Sequence, residues 1–148
     1  MELGKQIVRC LVRSEPGVPA LVIHSKEGIT QGDCLAMSLY GVVLMPLASK
    51  MREVIPDALQ PWYCDDAGAA GTALPNAQYL DFLVKHGLAY GYFPKPCKSH
   101  YICKVEDEPA ARQAFESFGL EINYSRGQRD LGGFIGCAQQ KEEWFWEL

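Results

Sequence analysis

Gln60-Pro61-Trp62-Tyr63-Cys64-Asp65-Asp66-Ala67-Gly68-Ala69-Ala70-Gly71-Thr72 is the stretch on which the reading of this chain turns. Its opening residues are aromatic and extended in character and its closing residues small and flexible. That pattern predicts a strand, a tight turn holding both Asp, and a returning strand. A hairpin tip exposes two carboxylates while the flanking strands fix their aim. Hard oxygen ligands of this kind suit Mg²⁺, which keeps several waters and takes its remaining ligands from phosphates. Asp-Asp also suits turns for a purely local reason, because Asp hydrogen-bonds its own backbone. The neighbouring segments must separate a metal grip from a plain turn.

The chain has 148 residues, of which 48% are apolar, enough for one core of ordinary domain size. We expect a single soluble domain or a piece of one. The longest apolar run, 35–48, is broken by Ser38, Gly41 and Pro46. It is too short to span a bilayer, and no cleavable signal precedes it, so the expected location is intracellular, cytoplasmic or nuclear, with no membrane partner. The six Cys stand at 10, 34, 64, 97, 103 and 137 without a Cys-x-x-Cys pair. Neither a zinc ribbon nor a disulfide scaffold is indicated, and His100-x-x-Cys103 lacks the partners a zinc site needs. A net charge of −4 argues against a free-standing nucleic-acid binder, so any such contact must be local. Lys95, Lys98, His100 and Lys104 form one basic cluster, and Arg126 with Arg129 a smaller one. Each is equally consistent with a solvated face.

Residues 1–17 read as the end of a preceding helix, with Ile7, Val8, Leu11 and Val12 as its apolar positions. Ala20 to His24 is a short β-branched strand. Thr30 then caps a helix with Asp33 in its first turn. From Gln31 to about Val54, the residues Leu35, Leu39, Val42, Val43, Leu47 and Met51 recur at helical spacing, predicting one long buried helix that Pro46 bends or divides. After the Asp-Asp hairpin, Pro75-Asn76-Ala77 opens a second helix with Tyr79, Leu80, Leu83 and Val84 inward, stopped at His86-Gly87. A strand over 99–105 follows, then a helix from Glu108 to Phe118 with Gly119 as its C-cap, and short strands at 120–123 and 129–135. Residues 137–148 read as the start of a following helical segment rich in Trp and Phe. The class is α+β, with helices packed on one face of a mostly antiparallel sheet.

Three further segments carry chemistry. Glu27-Gly28-Ile29-Thr30-Gln31-Gly32-Asp33-Cys34-Leu35 precedes the Asp pair at the entrance to the long helix. Gly32 permits close backbone approach of a nucleotide and Gln31 offers an amide beside it, although a plain helix start explains the same residues. After the Asp pair, Gly91 to Ser99 makes a rigid turn that delivers Lys98, either an ordinary surface lysine or a cation able to meet triphosphate charge. Leu131-Gly132-Gly133-Phe134-Ile135-Gly136 would allow close approach of a bound strand, as would any bulge or turn.

In this order the segments resemble the reverse transcriptase domain, most closely that of non-LTR retrotransposons. That palm carries Glu-Gly-x-x-Gln-Gly-Asp-x-Leu, Tyr-x-Asp-Asp, a lysine with Ser or Thr, and Leu-Gly. The counterparts here are Glu27 to Leu35, Tyr63 to Asp66, Lys98-Ser99 and Leu131-Gly132. The resemblance covers residues 18–136 and implies a polymerase palm-like fold. It also implies that Asp65 is a catalytic metal ligand with Asp66 beside it, and that Lys98 lies near the incoming triphosphate. Gln31, Gly32 and Tyr63 would line the nucleotide and template site, and Leu131 and Gly132 the primer region. The implied cofactor is a pair of Mg²⁺ ions, and the implied partners are an RNA or DNA template, a primer and a dNTP. Cys34 departs from the family, which commonly has Pro there. The larger departure is that the family's first catalytic Asp has no counterpart here. We therefore expect a palm fragment, weak in metal and inactive alone, or else a catalytically dead domain retained for nucleic-acid or protein binding. An unpaired sheet edge predicts self-association.

Overall fold

The computed structural model describes residues 9–12, 21–24, 34–63, 66–130 and 132–146. Two compact units divide the chain, 1–42 and 43–148. Within the first, β1 (Arg9–Val12) pairs antiparallel with β2 (Leu21–His24), from Arg9 opposite His24 to Val12 opposite Leu21. Over 9–12 this corrects the helix end expected across residues 1–17, the rest of which lies outside the described residues. A short apolar run fits either element, and here a long-range partner strand resolves it. The Thr30 cap and Asp33 lie outside the described residues.

Helix α1 (Ala36–Val54) starts later than its apolar pattern implies and runs through Pro46 undivided. Leu44, Leu47 and Met51 are buried, but Leu35, Leu39, Val42 and Val43 are exposed, which corrects the expectation of a buried helix along its full length. After the hairpin strands β3 (Trp62–Tyr63) and β4 (Asp66–Ala67) comes α2 (Ala73–His86). Tyr79, Leu80 and Leu83 point inward as expected, joined by Phe82, whereas Val84 is exposed.

The second unit contains a β-α-β crossover. Strand β5 (His100–Ile102), helix α3 (Glu108–Glu116) and strand β6 (Asn123–Ser125) follow one another, and β5 pairs with β6 in parallel, His100 opposite Asn123. A parallel pair requires such a crossover, and α3 supplies it. Ala77 and Leu80 of α2 meet Phe115 of α3 and Leu120 in one buried cluster, flanked by Tyr101, Ala114, Phe118, Ile122 and Tyr124. The rings of Tyr101, Phe115 and Tyr124 lie 5.2 to 6.4 Å apart in tilted and edge arrangements that favour aromatic pairs. Gly119 adopts φ 68° just beyond α3, where its N–H bonds the Glu116 carbonyl and that of Leu120 the Phe115 carbonyl. This is the expected glycine stop.

The strand expected over 129–135 is instead a hairpin, β7 (Gly127–Asp130) and β8 (Gly133–Gly136), with Asp130 opposite Gly133. Gly132 holds φ 81° at its tip, a conformation that glycine reaches without a Cβ penalty. Helix α4 (Ala138–Trp146) follows. Among the described residues the strands pair in four separate two-stranded ladders, three antiparallel and one parallel, rather than in one sheet. The protein is α+β.

Candidate functional site: the Asp hairpin and its supports

The hairpin forms where the sequence places it. Trp62 stands opposite Ala67 and Tyr63 opposite Asp66, and the register continues through the Gly68 N–H on the Pro61 carbonyl at 2.9 Å to the Leu59–Ala70 bridge. Only positions 64 and 65 fall between the paired ends, and both Cys64 and Asp65 lie outside the described residues. Alternation along the strands separates two faces. Tyr63 and Asp66 share the exposed one, while Trp62 turns inward, its ring 6.5 Å from that of Tyr79 on α2 and 5.7 Å from that of Tyr92.

Two buried amides tie down the hairpin's base. Gln60 Nε2 donates to the Ile55 carbonyl at 2.9 Å, and Asn76 Nδ2 donates to the Gly71 carbonyl at 3.2 Å. Gln60 Oε1, Asn76 Oδ1, Trp62 Nε1 and the Tyr79 hydroxyl are buried without a protein partner. Burial pushes the Tyr79 phenol far above its ordinary 10.0, so it stays neutral at any physiological pH.

Lys98 closes a 3₁₀ turn, Pro96–Lys98, two residues before β5. Its N–H bonds the Lys95 carbonyl at 2.9 Å, and Asn123 Nδ2 pins the turn through the Cys97 carbonyl at 2.8 Å. Among the described residues the ion pairs are Lys85–Asp81, Arg112–Glu108 and Arg126–Glu108, so Lys98 and Asp66 do not pair. Gly132 lies at the tip of the β7–β8 hairpin; Leu131, Gln31 and Gly32 fall outside the described residues.

Arg126 is not the free cation that its grouping with Arg129 suggests. Its guanidinium meets Glu108 Oε2 at 2.7 Å and the Cys103 carbonyl at 3.0 Å. Hydrogen bonds from Arg112 and then Arg126 hold the Glu108 carboxyl below its ordinary 4.5. Arg112 also lies 4.3 Å over the Tyr124 ring. This clip between α3 and the β6–β7 junction escaped the sequence reading because Glu108 and Arg126 are joined only by the tertiary fold. Glu108 and Arg112, at i and i+4, were the one legible part.

A Mg²⁺ bound by one or two carboxylates plus substrate phosphates would find one exposed carboxylate in Asp66. No cluster of three or more His, Cys, Asp or Glu suited to a metal occurs among the described residues. No helix among them is long and apolar enough to cross a membrane. No family model, curated protein or solved structure matches the chain.

Proposed function

We propose that the chain is the palm portion of an RNA-directed DNA polymerase of the reverse transcriptase type, carrying one half of a two-metal site. The observation that supports this reading is the hairpin register, with Tyr63 opposite Asp66 on an exposed face and two positions between them. A helix, a lysine-bearing turn and a glycine-tipped hairpin follow in the order of the family's motifs. Asp65 and Asp66 would hold metal, which when bound would stabilise charge on a transferring phosphoryl group. Trp62, wedged against Tyr79 and Tyr92, fixes the aim of the strand that leads to them. Lys98, exposed on its pinned turn, supplies a cation for polyphosphate. The family's first aspartate has no counterpart within residues 1–148, so this half-site should hold metal weakly.

Mn²⁺ titration followed by water-proton relaxation tests the assignment. Weak binding is expected, lost in Asp65→Asn/Asp66→Asn; binding that survives the double substitution, or none in the unaltered chain, overturns it. Primer extension on an RNA template is expected to give no product with these 148 residues. Mg²⁺-dependent product abolished by Asp65→Ala would overturn the half-site reading in favour of a complete one.

A second reading, a catalytically dead domain kept for nucleic-acid binding, is favoured by one observation. Lys95 and Lys98 are exposed and form no ion pair among the described residues.

A further inference from the structure

Trp62 stands one register step from the Tyr63–Asp66 pair, so whatever holds its ring holds the strand beside the exposed carboxylate. Tyr79 of α2 does so at 6.5 Å, and Tyr92, beyond the end of that helix, at 5.7 Å. Tyr79 is a buried residue of the core, and its place in α2 accounts for it. Tyr92 has a different setting. It is half-buried and opens the segment that runs to Lys98, within a stretch from Phe82 to Val105 that has no Asp or Glu.

The local backbone fixes Tyr92. Gly91 turns the chain with φ 72°, a conformation open to glycine, and the Tyr92 N–H then bonds the Gly87 carbonyl at 3.0 Å. Tyr92 closes over Gly87 so tightly that a Cβ there would stand 2.7 Å from the Tyr92 carbonyl oxygen and 3.3 Å from its ring. From Tyr92 onward Pro94 and Pro96 restrict the backbone. The turn then closes with the Lys98 N–H on the Lys95 carbonyl at 2.9 Å and the Ser99 N–H on the Pro96 carbonyl at 2.8 Å. Asn123 Nδ2 holds the far end through the Cys97 carbonyl at 2.8 Å. The segment is anchored at its start by Trp62 and at its end by β6.

The geometry points to Tyr92 as a positioning residue: its ring, set on Trp62, ties the lysine-bearing turn to the carboxylate hairpin and keeps Lys98 in a fixed relation to Asp66. The inference rests on the proposed function in so far as the two charges act on one ligand, a metal-bound polyphosphate. The carboxylate side takes the metal and the lysine takes phosphate charge. Two such contacts reinforce each other only while their separation matches the ligand, a demand that a residue filling space does not meet. Because the segment is stiffened by its prolines and its turn, a shift of Tyr92 is carried to Lys98 rather than absorbed on the way.

Water-proton relaxation with the equimolar complex of Mn²⁺ and inorganic tripolyphosphate, set against Mn²⁺ alone, reads what Lys98 adds. Lys98→Gln should weaken binding of the complex by up to about fivefold, the worth of an exposed ion pair. Tyr92→Ala and Gly87→Ala should each remove that increment, leave the affinity for Mn²⁺ alone unchanged, and show no further loss when combined with Lys98→Gln. Tyr92→Phe, which keeps the ring, should retain it. An increment that survives Tyr92→Ala, a loss that adds to that of Lys98→Gln, or a Tyr92→Phe variant as weak as Tyr92→Ala overturns the assignment. Hydrogen exchange without metal reads the tie itself. Tyr92→Ala should speed exchange roughly tenfold, the scale of a lost aromatic pair, at the Gly68 and Ala70 amides of the hairpin and at the Lys98 and Ser99 amides of the turn together. Acceleration on one side only, or at every amide of the chain alike, overturns the tie. No Mn²⁺ binding by the unaltered chain sinks the half-site reading, and the exchange result then decides the tie by itself, so the two failures are distinguishable.

Discussion

Helices α1 and α2 both repeat apolar residues at helical spacing, yet α2 buries most of its stripe whereas α1 buries only the later part of its own, at Leu44, Leu47 and Met51. Leu80 is 8% exposed, against the buried Phe115 of α3, whereas Leu39 of α1 is 51% exposed. Periodicity says which side chains share a face, and a covering surface is a separate matter that depends on what the chain brings alongside. For α2 that surface is α3 and the aromatic rings of the β5–β6 crossover. Leu39, Val42 and Val43 are each exposed.

Phe115→Ala is expected to cost about 3–5 kcal/mol, the usual loss for a buried aromatic, in urea unfolding of the chain. Leu39→Ala should change stability by less than about 0.5 kcal/mol, as exposed sites do. A Leu39→Ala cost above roughly 2 kcal/mol would break the comparison, because only a covered side chain loses so much.

Tyr79→Phe sharpens the same contrast from the polar side. The Tyr79 hydroxyl is 4% exposed as a residue and has no protein partner, so removing it should raise stability by up to about 1–3 kcal/mol, the penalty of an unsatisfied buried group. Its pH dependence has a definite sign. A phenol raised in the folded state contributes stability below its unfolded value of 10.0, and that contribution is lost as pH rises above it. Tyr79→Phe should therefore flatten the alkaline fall in melting temperature. An unchanged alkaline limb would show that the phenol is not held neutral by the core.

The smallest effect concerns the clip on α3. Glu108 is lowered from 4.5, so its ion pairs contribute above that value and are lost as pH falls through the carboxylate range. Glu108→Gln should leave neutral stability nearly unchanged, since pairs this exposed are worth little, and should slightly weaken the acid dependence of unfolding. A large loss at neutral pH would mean that the Arg126 contact to Cys103 depends on the carboxylate to stay in place.

The Asp hairpin, the start and stop of α2, and the glycine stop after α3 were legible because each is decided by residues only a few positions apart. Extended aromatics before Asp-Asp and small residues after it leave the backbone few other choices, and Gly119 takes a conformation its neighbours could not. The helix end expected over 1–17, where it covers Arg9–Val12, and the strand expected over 129–135 were misread for the converse reason. A short run such as Arg9–Val12 is ambiguous until β2 pairs with β1, and Gly132, read within a strand, proved to stand at the bend of a hairpin. Of the candidate site, Asp66 and Lys98 could be named from sequence as a carboxylate at a turn and a cation after one. Their supports, Gln60, Asn76, Tyr79 and Asn123, could not, because an amide or hydroxyl in a sequence carries no sign of which distant carbonyl or ring it will meet.

The amino-acid sequence by itself determined the local elements, the exposed turn lysine and the acid-free basic segment, since propensity, turn chemistry and charge act between near neighbours. Only the tertiary structure decided the parallel pairing of β5 with β6, the capture of Arg126 by Glu108, and the anchoring of Tyr92 on Trp62. Each of these depends on loop closure between segments far apart in the chain, and no short-range preference encodes which partners will meet.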